Sequence, residues 1–133
     1  MKQNPALAVT LVLSVVLTSL HITDDIVRKF EPGKGETYII VFMMAILLYA
    51  TLVLADRRSG LVIILLGSLG AAYVPSLHMQ GAGLVGGRIA GSSGIFLWVW
   101  TLIALAVCGV VSAGLALTAL WRLQWGRDRQ RPV

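Results

Sequence analysis

The sequence predicts an all-α, integral membrane four-helix transmembrane bundle. Four apolar stretches, at residues 5–22, 37–55, 60–77 and 95–120, contain no Asp, Glu, Lys or Arg. A membrane-spanning helix needs about 20 such residues. Hydrophobic residues make up 57% of the chain and charged residues 13%, against about 25% charged in soluble domains. A soluble bundle would also need a polar face on each helix, which these stretches lack. The 133 residues therefore form a single transmembrane domain.

The first span is predicted to begin at Pro5, because proline suits the first turn of a helix. Its outer end leaves two alternatives open. The helix continues past His21, or it stops there and residues 24–30 form a separate helix that begins at the capping residue Thr23. In either case Pro32 and the glycines beside it end the helix.

The second and third spans are joined by a tight turn at residues 56–59, so they are expected to be antiparallel neighbours. In the third span, Pro75 is expected to kink or end the helix just before His78. The fourth span follows a glycine-rich outer loop at residues 78–94. Four tryptophans lie in pairs near its two ends, as in an aromatic belt: Trp98, Trp100, Trp121 and Trp125.

Small residues four positions apart predict close helix packing in the third and fourth spans. The pairs are Gly67 with Ala71, and Gly109 with Ala113. Such pairs let two helices approach closely, so they favour self-association of the chain or association with another membrane protein. A homo-oligomer or a membrane-protein partner is therefore expected beside the lipid bilayer.

The charges between the spans predict the topology. The N-terminus, the turn at 56–59 and the tail at 121–133 together carry seven Lys or Arg and two Asp. The loops at 23–36 and 78–94 carry four basic and four acidic residues. Because cytoplasmic loops are rich in Lys and Arg, both termini are expected in the cytoplasm and both loops outside. The net charge of +5 then reflects multi-pass insertion in a bacterial inner (plasma) membrane, and not nucleic-acid binding.

Several functional classes lack their usual signature. No span contains an acidic residue, whereas intramembrane charges usually mark the pathway of a pump or channel. No spacing of Ser, His and Asp predicts a catalytic triad, and no Cys/His framework predicts a structural zinc site. The leading expectation is a small binding, scaffold or accessory subunit, and the sequence leans against an enzyme.

The strongest functional lead is the position of the two histidines. Helices one and three both run outward, so His21 and His78 are expected at the same outer level. If helix one continues, His21, Asp25 and Arg28 share a face, and Asp24 flanks that face. Arg88 in the second outer loop completes the candidate ligand-binding residues.

Five interpretations of this outer cluster stay open. His21 and His78, with Asp25 or Asp24 as the carboxylate, suit a divalent metal such as zinc. The two histidines suit bis-histidine haem ligation. A small transporter could titrate His21 and hold an anion with Arg28 or Arg88, and a membrane enzyme could use the same residues. The simplest interpretation is a set of interfacial polar side chains that satisfy one another. The sequence identifies no cofactor.

Overall fold

The structure, a computed structural model, describes residues 4–28, 35–79 and 93–128. These residues form four α-helices, which confirms the predicted all-α fold with four helices. In chain order they are α1 (Pro5–Val27), α2 (Gly35–Val53), α3 (Arg58–Met79) and α4 (Ile95–Asp128).

Helix α1 is one continuous helix that reaches beyond the predicted span. Asn4 caps its start by accepting the backbone N–H of Ala6, and Pro5 occupies the first turn. At the other end, the backbone N–H of Arg28 donates to the Asp24 carbonyl. The alternative with a separate helix at residues 24–30 is therefore wrong, because the helical hydrogen bonding runs without a break past residue 24 to Val27.

Helices α2 and α3 are joined by the expected tight turn. The backbone N–H of Arg57 donates to the Leu54 carbonyl at 2.8 Å. A Cβ at Gly60 would collide with that same Leu54 carbonyl, so the turn requires glycine there. Pro75 lies inside α3 and does not end it, since the helix continues to Met79.

Three of the helices are long and apolar enough to cross a membrane, which suggests a membrane protein. They cover Pro5–Val27, Arg58–His78 and Ile95–Gln124, whereas the apolar part of α2, Thr37–Val53, is shorter. Helix α4 has 34 residues and is about 51 Å long at 1.5 Å per residue. It exceeds the roughly 30 Å of a hydrocarbon core and runs through the predicted tail as far as Asp128.

The core lies where α4 packs against α1 and α3. At the end of the bundle that holds the turn between α2 and α3, the core is formed by six buried apolar residues: Leu7, Leu11, Ala50, Leu61, Ile64 and Ala116. Toward the other end of α4, Trp98, Leu102 and Leu105 are buried. Large apolar side chains are exposed on all four helices, among them Leu13, Phe42, Leu66 and Val110. Monomeric soluble proteins rarely expose so much apolar surface.

The small residues of α3 and α4 lie at contacts between helices of one chain. A Cβ at Gly109 would meet the Ala72 backbone nitrogen at 2.6 Å and the Ser68 carbonyl oxygen at 2.7 Å. A Cβ at Gly67 would meet the Leu47 side chain. Ala71 and Ala113 are half-buried. Self-association of the chain through these pairs stays a prediction.

Candidate metal site at one end of the bundle

The two histidines of the chain meet at one end of the bundle. Both α1 and α3 reach this end with their C-terminal turns, which carry His21 and His78 respectively. Their Nε2 atoms lie 3.3 Å apart, and the rings meet edge to face with centroids separated by 5.0 Å. His21 is 3% exposed, and His78 is half-buried.

Asp25 adds a carboxylate to the histidine pair. It lies one turn after His21 on the same face of α1 and is also 3% exposed. Its Oδ2 is 3.5 Å from His21 Nε2. One ligand atom from each of His21, Asp25 and His78 lies within 4.8 Å of the other two. The fold therefore brings together the three residues that the sequence suggested as metal ligands.

Trp98 covers this cluster from α4. Its indole N–H donates to Asp25 Oδ1 at 2.6 Å, and its ring lies 5.2 Å from that of His21 and 5.1 Å from that of His78. The side chain is 1% exposed, whereas Trp100 is 52% exposed. The two tryptophans therefore differ in environment, since the Trp98 indole N–H has a buried carboxylate as partner; their place in an interfacial belt stays a prediction.

Thr101 reaches the other side of the His21 ring. Its Oγ1 lies 3.3 Å from His21 Nδ1. The same hydroxyl donates to the Trp98 carbonyl one helical turn earlier, at 2.8 Å. Both nitrogens of His21 thus face polar atoms: Nδ1 faces Thr101, and Nε2 faces His78 and Asp25.

Asp24 and Arg28 lie at the rim and pair with each other. Arg28 Nε donates to Asp24 Oδ2 at 2.8 Å, and Arg28 also donates to the Ser93 carbonyl oxygen at the start of α4. Gly94 follows with a positive φ of 75°, and a Cβ there would collide with the Arg28 guanidinium. Arg28 therefore connects the end of α1 to the residues just before α4, next to the site. Arg88 lies outside the described residues.

Sequence reasoning missed Trp98 and Thr101 as parts of the site. A signal for them exists: they lie three residues apart, hence on one face of a helix, near the N-terminus of α4. Helix α4 starts at the end of the bundle where α1 and α3 end. The face of α4 that carries Trp98 and Thr101 therefore lies at the same height as the two histidines. The missing information was the rotation of α4 about its own axis.

The arrangement suits a metal ion and does not suit haem. Imidazole nitrogens and a carboxylate oxygen are ligands that zinc and similar ions accept. A haem ligated by both histidines would place a planar macrocycle between the two Nε2 atoms, but the Asp25 carboxylate and the Trp98 ring already lie beside these atoms. Comparisons of the chain with protein-family models, with curated proteins and with solved structures give no match.

Proposed function

We propose that this chain is an integral membrane protein that binds a divalent first-row metal ion, zinc being the best fit, through His21, Asp25 and His78. The observation that carries the proposal is the convergence of two imidazole nitrogens and a carboxylate oxygen within 4.8 Å of one another. Three helices long enough to span and the bias of Lys and Arg support insertion in a bacterial inner membrane with both termini in the cytoplasm.

Burial argues for a bound cation. A buried carboxylate is costly unless it is paired, hydrogen-bonded or bound to a metal. The Trp98 indole satisfies Oδ1 of Asp25, but Oδ2 faces His21 Nε2 at 3.5 Å, beyond good hydrogen-bond distance. A divalent ion between Asp25, His21 and His78 would compensate the buried negative charge and replace a weak contact by coordination bonds.

The ligand set favours zinc over magnesium or calcium. The hard cations take oxygen ligands, six or more in the case of calcium, whereas two of the three donors here are imidazole nitrogens. Three protein ligands are also the number found in zinc sites that keep one position for water or another ligand. The site therefore suits binding and exchange of a small ligand better than a purely structural role.

Association with a membrane-protein partner, as a scaffold or accessory subunit, is the second candidate. The observation that favours it is the surface of α2, where aromatic and sulfur side chains are exposed together: Tyr38, Phe42, Met43 and Tyr49. Such residues are enriched at protein interfaces. Metal binding and association with a partner are compatible, and only the first has a defined site.

Metal analysis tests the first candidate. The protein is purified in detergent without a polyhistidine tag, stripped with a chelator and titrated with Zn²⁺, and bound metal is measured after desalting. Co²⁺ serves as a spectroscopic probe of nitrogen and oxygen ligation. We expect one ion per chain and a large loss of affinity in each of His21→Ala, Asp25→Asn and His78→Ala.

The matched control is Asp24→Asn, which removes a neighbouring carboxylate of the same helix turn. Because Asp24 pairs with Arg28 at the rim, this variant is expected to keep the wild-type zinc affinity. Wild-type protein that binds zinc no better than the His21→Ala/His78→Ala double variant would overturn the proposal.

A further inference from the structure

We infer that Thr101 is a positioning residue, which fixes the tautomer of His21 so that Nε2 presents a lone pair to the metal. The inference rests on the proposed metal binding and adds a residue outside the ligand set. It follows from the hydrogen bond that the Thr101 hydroxyl donates to the Trp98 carbonyl oxygen.

The Thr101 hydroxyl donates its hydrogen within its own helix. A threonine hydroxyl has one hydrogen to donate and two lone pairs. This hydrogen goes to the Trp98 carbonyl oxygen, 2.8 Å away within the same helix. Threonine hydroxyls in helices commonly bond to a backbone carbonyl of the preceding turn, so the bond is anchored by α4 itself. Toward His21, the Thr101 oxygen can then only accept.

The contact with Thr101 determines which nitrogen of the His21 ring carries the hydrogen. Since Thr101 Oγ1 accepts across the 3.3 Å contact with His21 Nδ1, Nδ1 must carry the hydrogen. In a neutral imidazole the other nitrogen then bears the lone pair. That nitrogen is Nε2, which faces His78 and Asp25. Metal-ligating histidines commonly donate their second N–H to a fixed acceptor in this way, and loss of that acceptor weakens metal binding about 10–100-fold.

In the metal-free protein, the His21 tautomer also determines the tautomer of His78. Its Nε2 lies 3.3 Å from His21 Nε2, and two lone pairs cannot share a hydrogen bond. His78 must therefore carry a hydrogen on Nε2 and donate it to His21. When a metal binds through both Nε2 atoms, that hydrogen of His78 leaves Nε2, and the neutral ring carries its hydrogen on Nδ1. The His21 tautomer stays unchanged.

The test is ¹⁵N NMR of histidine-labelled protein in detergent, since the nitrogen shifts identify which nitrogen carries hydrogen. With only two histidines in the chain, a His78→Gln sample assigns both. We expect hydrogen on Nδ1 of His21 with and without Zn²⁺, and on Nε2 of His78 only without it. Hydrogen on Nε2 of His21 in the metal-free protein, alone or together with Nδ1, would overturn the inference.

Two substitutions test the role of the hydroxyl. Thr101→Val keeps the shape and removes the acceptor, so we expect a mixture of His21 tautomers and zinc binding about 10–100-fold weaker. Thr101→Ser keeps the hydroxyl and is expected to restore both measurements. Equal weakening in both variants would overturn the positioning role. The tautomer of His21 is measured without zinc, so a wrong tautomer assignment is distinguishable from a failure of metal binding.

Discussion

The indole N–H of Trp98 donates to Oδ1 of Asp25 at 2.6 Å, joining residues 73 positions apart in the chain. The bond connects α4 to the last turn of α1 inside the buried end of the bundle. It leaves Oδ2 as the oxygen that faces the histidines. One tryptophan thus orients the carboxylate of the proposed metal site and also holds two helices together.

Trp98→Phe is expected to destabilise the protein and weaken metal binding. The phenyl ring keeps most of the packing against the two imidazoles but cannot donate to Asp25. Loss of a buried hydrogen bond to a charged group costs about 1.5–3 kcal/mol. Denaturation of the metal-free protein in mixed detergent micelles measures this change, and zinc titration measures the affinity. Trp100→Phe is the control, since Trp100 is exposed, and an equal loss there would contradict the assignment to the Asp25 bond.

The helices and the level of the two histidines could be predicted from the sequence, because both depend on local pattern. Uncharged stretches of membrane-spanning length locate the helices, and alternating direction brings the ends of α1 and α3 to one side. The helix positions and their alternating direction together predict that His21 and His78 lie at the same level of the bundle. The continuity of α1 past Asp24 was harder to predict, because Thr23 and the two acids also resemble a helix start.

The contribution of α4 could not be predicted, because its apolar surface gives no preferred side. In a helix that is apolar all round, periodicity does not tell which face turns inward. Trp98 and Trp100 are therefore alike in the sequence, although one is buried and the other exposed. The choice is made by packing and by the Asp25 carboxylate, which only the assembled bundle brings within reach of Trp98.

A double-mutant cycle is expected to detect the contact between the two histidines. Residues in contact show coupling energies of about 0.5–3 kcal/mol, whereas distant ones add. Unfolding free energies of His21→Ala, His78→Ala and the double variant, measured with chelator present, give the coupling. A parallel cycle of His78→Ala with Ser112→Ala should be additive, because Ser112 bonds to Thr10 instead. Additivity in the histidine cycle as well would contradict their contact.

Gly94→Ala is expected to destabilise the junction between α1 and α4. Its φ of 75° costs about 1–2 kcal/mol for a residue with a Cβ, and the new methyl group would displace the Arg28 guanidinium. Gly35→Ala is the matched control, since Gly35 also lies at a helix start and has open space around it. Unfolding of both variants in detergent tests this. Equal stability of the two variants would count against a strained Gly94.

Gly109→Ala is expected to push α3 and α4 apart. The added methyl group would overlap backbone atoms of Ala72 and Ser68, which cannot rotate away as a side chain can. Overpacking of this kind typically costs 1–3 kcal/mol. Gly114→Ala, in open space on the same helix, should be neutral or stabilising. The unfolding free energy in detergent compares the two, and a Gly109→Ala protein as stable as Gly114→Ala would show that the helices are not this close.

Cysteine labelling is expected to place the two kinds of loop on opposite sides of the membrane. In a Cys108→Ala background, which removes the single native thiol, Asp56→Cys lies in the turn between α2 and α3, and Ala82→Cys lies in the glycine-rich segment. Because Lys and Arg concentrate on the side of the turn and the tail, an impermeant maleimide added to intact cells should modify Cys at position 82 only.

Permeabilised cells should show modification at both positions, which controls for reactivity. Modification of position 56 in intact cells would reverse the proposed topology. Modification of both positions would mean that the chain does not separate them by a bilayer, and membrane insertion itself would then be wrong.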